Sequence, residues 1–154
     1  MSHLTRHTTE GSEALAAATA ETLIQARGVT TVKYELAYFR VSCDQQPTTE
    51  VEDVGWRLLY QTTDGTASAA TELQGDPDDQ AAALTTFHSF SAEPTAGTVI
   101  DEGFFPANGS EFLYKAVGDG IILDSATTSR IGLELTASAV VNARGSFGWR
   151  VDSA

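Results

Sequence analysis

The sequence predicts an all-β fold, an antiparallel sandwich or barrel, and three observations carry that reading. About ten short apolar runs alternate between two faces from Glu21 to Asp152. Clusters of Gly, Pro, Asp and Thr separate the runs. No helical stretch of about a dozen residues lies between them, which a parallel sheet would need for its crossovers. A chain of 154 residues suits one domain with one core.

Residues 1 to 20 are polar and rich in Thr and Ala, without a usable apolar period, and are expected to form an extended N-terminal arm that orders on contact. Within the arm, Glu13 to Glu21 suits a short Ala-rich helical turn. The single β-sandwich domain then runs over 21–154. Thr22 to Arg27 reads as its first strand and Gly28 to Thr31 as a turn. Val32 to Ser42 follows as a long strand, with Val32, Tyr34, Leu36 and Tyr38 on one face and Lys33 and Glu35 on the other. Both faces become apolar at Ala37 and Phe39, as expected where a strand crosses the centre of a sandwich.

After a polar connection containing Pro47, Val54 to Thr62 places Trp56, Leu58 and Tyr60 inward and Arg57 and Gln61 outward. Each large side chain buried there contributes roughly 1.5–3 kcal/mol. Thr63-Asp64-Gly65-Thr66 is a hairpin signal, because Asp-Gly supplies the positive φ of a tight turn, and Ala69 to Leu73 is the expected return strand. Gly75 to Gln80 reads as a surface loop and Ala81 to Leu84 as one helical turn, before a strand at Thr85 to Ser91.

Glu93 to Gly97 turns the chain into a strand at Thr98 to Phe105, which Pro106 closes, and Asn108-Gly109 is another turn. Phe112 to Val117, Gly120 to Leu123, Arg130 to Ser138 and Val140 to Val151 are the remaining strands. Ile131, Leu133 and Leu135 mark one inward face, and Phe147, Trp149 and Val151 another. Gly145 and Gly148 in the last strand imply close backbone approach or a bulge.

The net charge of −12, from 21 acidic and 9 basic residues, repels phosphate backbones, so nucleic acid is not an expected partner. The acidity fits either a solubility device or an adaptation to salt. One cysteine, Cys43, excludes an intrachain disulfide framework. No apolar stretch approaches the roughly 18–20 residues of a membrane span, and the N-terminus lacks a basic-then-apolar leader, so no membrane is expected as a partner.

The chemistry-bearing residues form no catalytic or cofactor constellation. His3 and His7 stand four apart without a third ligand nearby and read as exposed polar residues; His88, between Phe87 and Phe90, reads as a solvent-facing or hydrogen-bonded sheet residue. The carboxylates of Glu50, Glu52 and Asp53, of Asp76, Asp78 and Asp79, and of Asp101 and Glu102 read as solvated clusters. Asp101 and Glu102 point to opposite faces of a strand and cannot act as a glycosidase pair. The Asp76–Asp79 cluster lacks the spacing of a calcium loop. Cys43 has no histidine at a recognisable spacing, and no serine sits in a Gly-X-Ser-X-Gly elbow. The sequence therefore implies no enzyme, no metal and no cofactor. Tyr34, Tyr38, Trp56, Tyr60, Phe112, Phe147 and Trp149 fall mostly on inward phases and read as core. Phe104 and Phe105 are adjacent, so one of them faces out, available to a partner.

A set of segments in fixed order, Tyr60-Gln61-Thr62-Thr63-Asp64-Gly65-Thr66, Ala92-Glu93-Pro94-Thr95-Ala96-Gly97, Phe105-Pro106, Ile131-Gly132-Leu133-Glu134-Leu135-Thr136-Ala137 and Val141-Asn142-Ala143-Arg144, resembles small virion-associated proteins of tailed phages and prophages. The similarity spans about Thr22 to Trp149. It implies a jelly-roll type of β-sandwich with about 8–10 strands. The function it implies is that of a decoration or cement protein on the capsid exterior, made in the host cytoplasm, which binds the major capsid protein and forms a homo-oligomer, with a trimer favoured. It implies no catalytic residues. In that setting Pro94 fixes a turn and Glu93 accepts backbone hydrogen bonds that lock it. The other reading is a tail- or fibre-associated carbohydrate- or receptor-binding module, in which Phe104 or Tyr114 stacks on sugars; a secreted hydrolase is a third.

Overall fold

The computed structural model describes residues 4–9, 12–44, 53–74, 84–116, 118 and 120–151. Its strands are β1 (Leu4–Thr8), β2 (Glu13–Leu15), β3 (Ala20–Arg27), β4 (Tyr34–Asp44), β5 (Asp53–Gln61), β6 (Thr66–Ala69), β7 (Thr71–Gln74), β8 (Thr85–Ala92), β9 (Ala96–Pro106), β10 (Phe112–Lys115), β11 (Ile122–Leu123), β12 (Arg130–Thr136) and β13 (Val141–Val151). One sheet has the order β10-β4-β13-β1-β7, with β11 also on β4 and β2 also on β13; the other has the order β6-β8-β3-β12-β5-β9. All strand pairs are antiparallel, and the two sheets pack face to face as a sandwich.

The core lies where inward phases meet: Leu36, Phe39, Val41, Phe147 and Trp149 from the first sheet, and Ile24, Leu58, Ile131, Leu133 and Leu135 from the second. Phe39 organises its aromatic part. Its ring stacks on Tyr114 at 4.9 Å between centroids and meets Trp56 edge-on at 5.2 Å, while Phe105 stacks on Phe112 at 5.7 Å. Such offset and edge-on geometries satisfy the ring quadrupoles as well as burying area.

The expected N-terminal arm instead carries two sheet strands, β1 and β2, in its described part. β1 lies between β13 and β7, β2 extends the pairing on β13, and the helical turn expected at Glu13 to Glu21 is replaced by β2 and the start of β3. Edge pairing overrides the weak helix propensity of the alanines. The signal was hidden because the inward residues of this segment, Thr5, His7 and Thr9, are polar, although each is buried. His7, expected to be exposed, points at the core opposite Phe147, and neither ring nitrogen has a hydrogen-bond partner among the described residues.

Burial pushes the His7 imidazole below its usual 6.5, with Glu72 across the strand pair pulling the other way. The unfolded chain therefore takes up a proton at a higher pH than the folded chain does. The stability that neutral His7 contributes is complete above about pH 6.5 and is lost as pH falls toward the lower folded-state value. Relief of the −12 self-repulsion on acidification acts in the opposite direction, so the comparison must be with a variant. The melting-temperature advantage of the native chain over His7→Gln is expected to shrink between pH 7.5 and 5; a constant difference would contradict the burial of a neutral ring.

The break of alternation in β4 has a local cause. Tyr38 pairs with Gly148 and Leu36 with Trp149, which leaves Ala37 unpaired as a bulge and reverses the facing of every later residue. Tyr38, expected inward, therefore lies outward across Gly148, where any Cβ would run into its ring. A second bulge at Leu23 turns both Leu23 and Ile24 into the core.

Gly65 has φ of 63°, as the turn at Thr63 to Thr66 requires, but the turn makes no hairpin. β5 pairs with β12 and β9, whereas β6 pairs with β8 at the opposite edge of the sheet. The chain crosses the outer side of the second sheet here, and the β8–β9 connection crosses back beside it. Thr62 N–H donates to Thr95 O at 2.9 Å, and Thr95 N–H to Thr63 Oγ1 at 2.8 Å. Beneath them a polar layer is fully paired: Gln25 Nε2 donates to Gln61 Oε1 (2.7 Å) and Gln61 Nε2 to Thr22 Oγ1 (2.9 Å). Arg130 and Arg27 converge on Asp64, whose carboxyl they hold below the usual range. The return strand expected at Ala69 to Leu73 is two strands, because the chain changes sheet at Ala70. The loop expected at Gly75 to Gln80 lies outside the described residues, as does the turn at Ala81 to Leu84 apart from buried Leu84.

Candidate functional site

The outward face of β5, β9 and β12 carries the most exposed large apolar side chain among the described residues. Phe105 turns inward at 1% exposure, so its neighbour Phe104 turns out, at 74%. Phe104 pairs across the strands with Gly55, and a Cβ added there would lie 3.4 Å from Phe104 Cε1, so the ring rests on the bare backbone of β5. One face of the ring is thus held by the sheet and the other left to solvent.

Charged groups frame this ring. Arg57 is the cross-strand partner of both Glu102 and Glu134, and its Nη2 donates to Glu134 Oε2 at 2.6 Å. Glu134 is buried, so the guanidinium compensates a carboxylate that would otherwise be costly to keep charged. Arg57 and Glu102, with Thr136, Ala18 and Ala20, line a groove of about 630 Å³ beside Phe104. β9 itself is an 11-residue edge strand, bonded to β5 alone among the described strands and exposed along most of its length.

A second crevice, about 380 Å³, lies where β2 meets β3 and β8 and is lined by Ser12, Glu13, Glu21, Ser89, Ser91 and Glu93. At its wall Glu13 Oε1 lies 2.8 Å from His88 Nδ1 and accepts from Ser89 Oγ at 2.8 Å; Ser89 Oγ is also 2.7 Å from Nδ1. Because an ionised carboxylate only accepts, Nδ1 carries the proton. Serine and acid meet the same ring nitrogen, and Nε2 is buried without a partner among the described residues, so these three residues do not form a serine–histidine–acid relay, which needs one partner on each nitrogen. They tie the N-terminal segment to β8 across 75 positions of sequence. His88 is thus hydrogen-bonded rather than solvent-facing.

Glu93 plays the expected part: its Oε2 accepts the Thr22 N–H at 2.8 Å, beside the buried Pro94. Partial burial raises its pKa, opposed by the Thr22 hydrogen bonds and reinforced by Glu21 and Glu134.

The other sequence candidates are dispersed. Asp101 accepts the Tyr114 hydroxyl at 2.8 Å while Glu102 faces Arg57, the opposite facing that adjacency requires. Tyr114, weighed as a sugar platform, is stacked on Phe39 instead. Tyr34, Trp56, Phe105, Phe147 and Trp149 are core; Tyr60 and Val151 are 39% and 42% exposed, at strand ends where the inward phase runs out. His3, Glu50, Glu52, Asp76, Asp78 and Asp79 lie outside the described residues. Among the described residues no group of three His, Cys, Asp or Glu side chains is placed to hold a metal ion.

Cys43 is buried, and burial together with Asp44 pushes its thiol up to about 12, so almost no thiolate exists at neutral pH. Iodoacetamide is expected to leave the folded chain unlabelled and to modify it fully in denaturant, read by intact mass; labelling of the folded chain would contradict the packing.

No protein-family model matches the chain, and no curated protein or solved structure is significantly similar to it.

Proposed function

We propose that the chain is a non-enzymatic virion structural protein that decorates or cements a capsid shell by binding the major capsid protein from outside. The observation that carries the protein-binding part is Phe104, held on Gly55 and 74% exposed beside the open edge of β9. An exposed aromatic with a supported back face is the kind of anchor that dominates protein interfaces. The capsid setting rests on the resemblance described above. Two of the segments that carry it, Tyr60 to Thr66 and Ala92 to Gly97, are the crossing connections bonded to each other through Thr62, Thr63 and Thr95. Assembly as a trimer belongs to the same proposal, and the four-residue edge strands β6, β7 and β10 leave sheet sides for it.

The test is co-sedimentation of the full chain with empty shells built from the major capsid protein of the same genome. Saturable binding that Phe104→Ala lowers by about tenfold is expected, as for loss of an interface anchor. Absence of binding at micromolar concentration would remove the proposal. Sedimentation velocity of the free chain tests the trimer.

The groove beside Phe104 also favours a second reading, a carbohydrate-binding module, because a ring face with the Arg57 guanidinium and the Glu102 carboxylate at its rim suits sugar stacking and hydroxyl hydrogen bonds. Glycan-array signal abolished by Phe104→Ala would support it.

A further inference from the structure

We propose that the open edge of β9 takes up an extended, basic segment of a partner protein as an added antiparallel strand, anchored on Phe104. The inference rests on the reading of the chain as a protein-binding module and specifies the partner's chemistry.

Three observations converge on it. First, β9 is the long edge of the sandwich: among the described strands it is bonded on one side only, and Asp101 to Pro106 pair with Asp53 to Leu58 without a register shift, so the free side presents backbone groups in regular register, with two donors withdrawn, since Pro106 has no N–H and the Glu102 N–H donates to Asp101 Oδ1 at 2.9 Å. Second, Phe104 on that strand, with Val99 at 39% exposure, offers apolar surface to a neighbouring strand. Third, the surrounding charge is acidic. Asp101 and Glu102 lie on the strand, Asp53 pairs with Pro106 at its end, and Arg57 is held by buried Glu134.

The same features that invite pairing also discriminate between partners. Acidic side chains, Pro106 and the two register shifts between β5 and β9 are the devices by which an edge avoids pairing with its own kind. A second copy of a chain with net charge −12 brings like charge to this edge, whereas lysines or arginines on alternate positions of an incoming strand meet Glu102 and its neighbours with opposite charge. The guanidinium of such an arginine also fits over the free face of Phe104.

The test titrates a capped peptide of about ten residues, alternating Thr and Arg, into the 15N-labelled full chain, with a Thr–Glu peptide and neutral oligosaccharides of glucose and N-acetylglucosamine in parallel. Expected are amide shifts and slowed hydrogen exchange confined to Ala96–Pro106 and its neighbours. Phe104→Ala and, separately, Glu102→Lys are each expected to weaken the Thr–Arg peptide by about tenfold, and the interaction is expected to weaken as salt rises from about 0.05 to 0.5 M. Equal binding of the Thr–Glu peptide, shifts elsewhere on the sandwich, no shift at millimolar peptide, or oligosaccharide shifts without peptide binding would each overturn it. Shell binding without peptide binding overturns the strand pairing and leaves the decoration reading standing. Peptide binding without shell binding upholds the pairing and removes the shell as its setting.

Discussion

Removal of residues 1 to 9 is expected to unfold the sandwich rather than to trim a tail. β1 sits between β13 and β7, so its loss strips the backbone partners of both along Ser146 to Arg150 and Thr71 to Gln74 and leaves β7 without a neighbour in its sheet. It also uncovers the flank of Phe147 and Trp149, both fully buried in the intact chain. Domains of this kind hold roughly 5–15 kcal/mol of net stability, and unpaired backbone together with exposed aromatic surface removes a large part of it. The truncated chain should lose its near-ultraviolet circular dichroism and its cooperative melting transition. A truncated protein that melts within about 2 °C of the parent, less than the shift produced by 1 kcal/mol at this chain length, would show that the segment is peripheral.

The second large effect is expected at Phe39→Ala. This ring is fully buried and touches Trp56, Phe112 and Tyr114, so truncation leaves a cavity between the two sheets that none of the three can fill without breaking its other contacts. The cost is about 3–5 kcal/mol. At 2–4 °C per kcal/mol for this length, the melting temperature should fall by roughly 10 °C. Phe39→Leu, which restores most of the volume but no stacking, should recover more than half of the loss. Thermal melts followed by circular dichroism check both, and an unchanged melting temperature for Phe39→Ala would remove the ring from the centre of the core.

What could be read from the chain divides along a physical line. β12, with Ile131, Leu133 and Leu135 on one phase, and β13, with Phe147 and Trp149, were legible because inward positions are filled with large apolar residues and the period of two is plain. β1 obeys the same period, but Thr5 and His7 fill its inward positions and buried Thr9 follows it, and polarity alone makes such a segment look like solvent. The alanines around β2 mimic a helix whose stability would be marginal in any case. The bulge at Ala37 could be sensed as broken alternation in β4, but which later residues it turns inward follows only from the pairing with β13. Asp64-Gly65 announces a turn correctly, yet the partner strand of β6 is set by a crossing that no local signal encodes.

The same division runs through the site. That Phe104 or Phe105 must face out follows from adjacency, whereas the reading of Glu93 as an acceptor of backbone N–H comes with the resemblance, and its donor, Thr22, lies 71 positions away. The support of Phe104 by Gly55, the hold of Glu134 on Arg57 and the convergence of Glu13, His88 and Ser89 join residues about 50 to 77 positions apart, and only the topology brings them together.

Amide hydrogen exchange of the full chain, free and bound to empty shells, distinguishes an integral Leu4–Thr8 strand with a contact surface on the β9 face from a grip by the N-terminal segment. The amides of Leu4–Thr8 should be protected to the same degree in both states, while those of Ala96–Pro106 should slow only on the shell. Rapid exchange of Leu4–Thr8 in the free chain that becomes protected on the shell, with Ala96–Pro106 unchanged, would contradict the account.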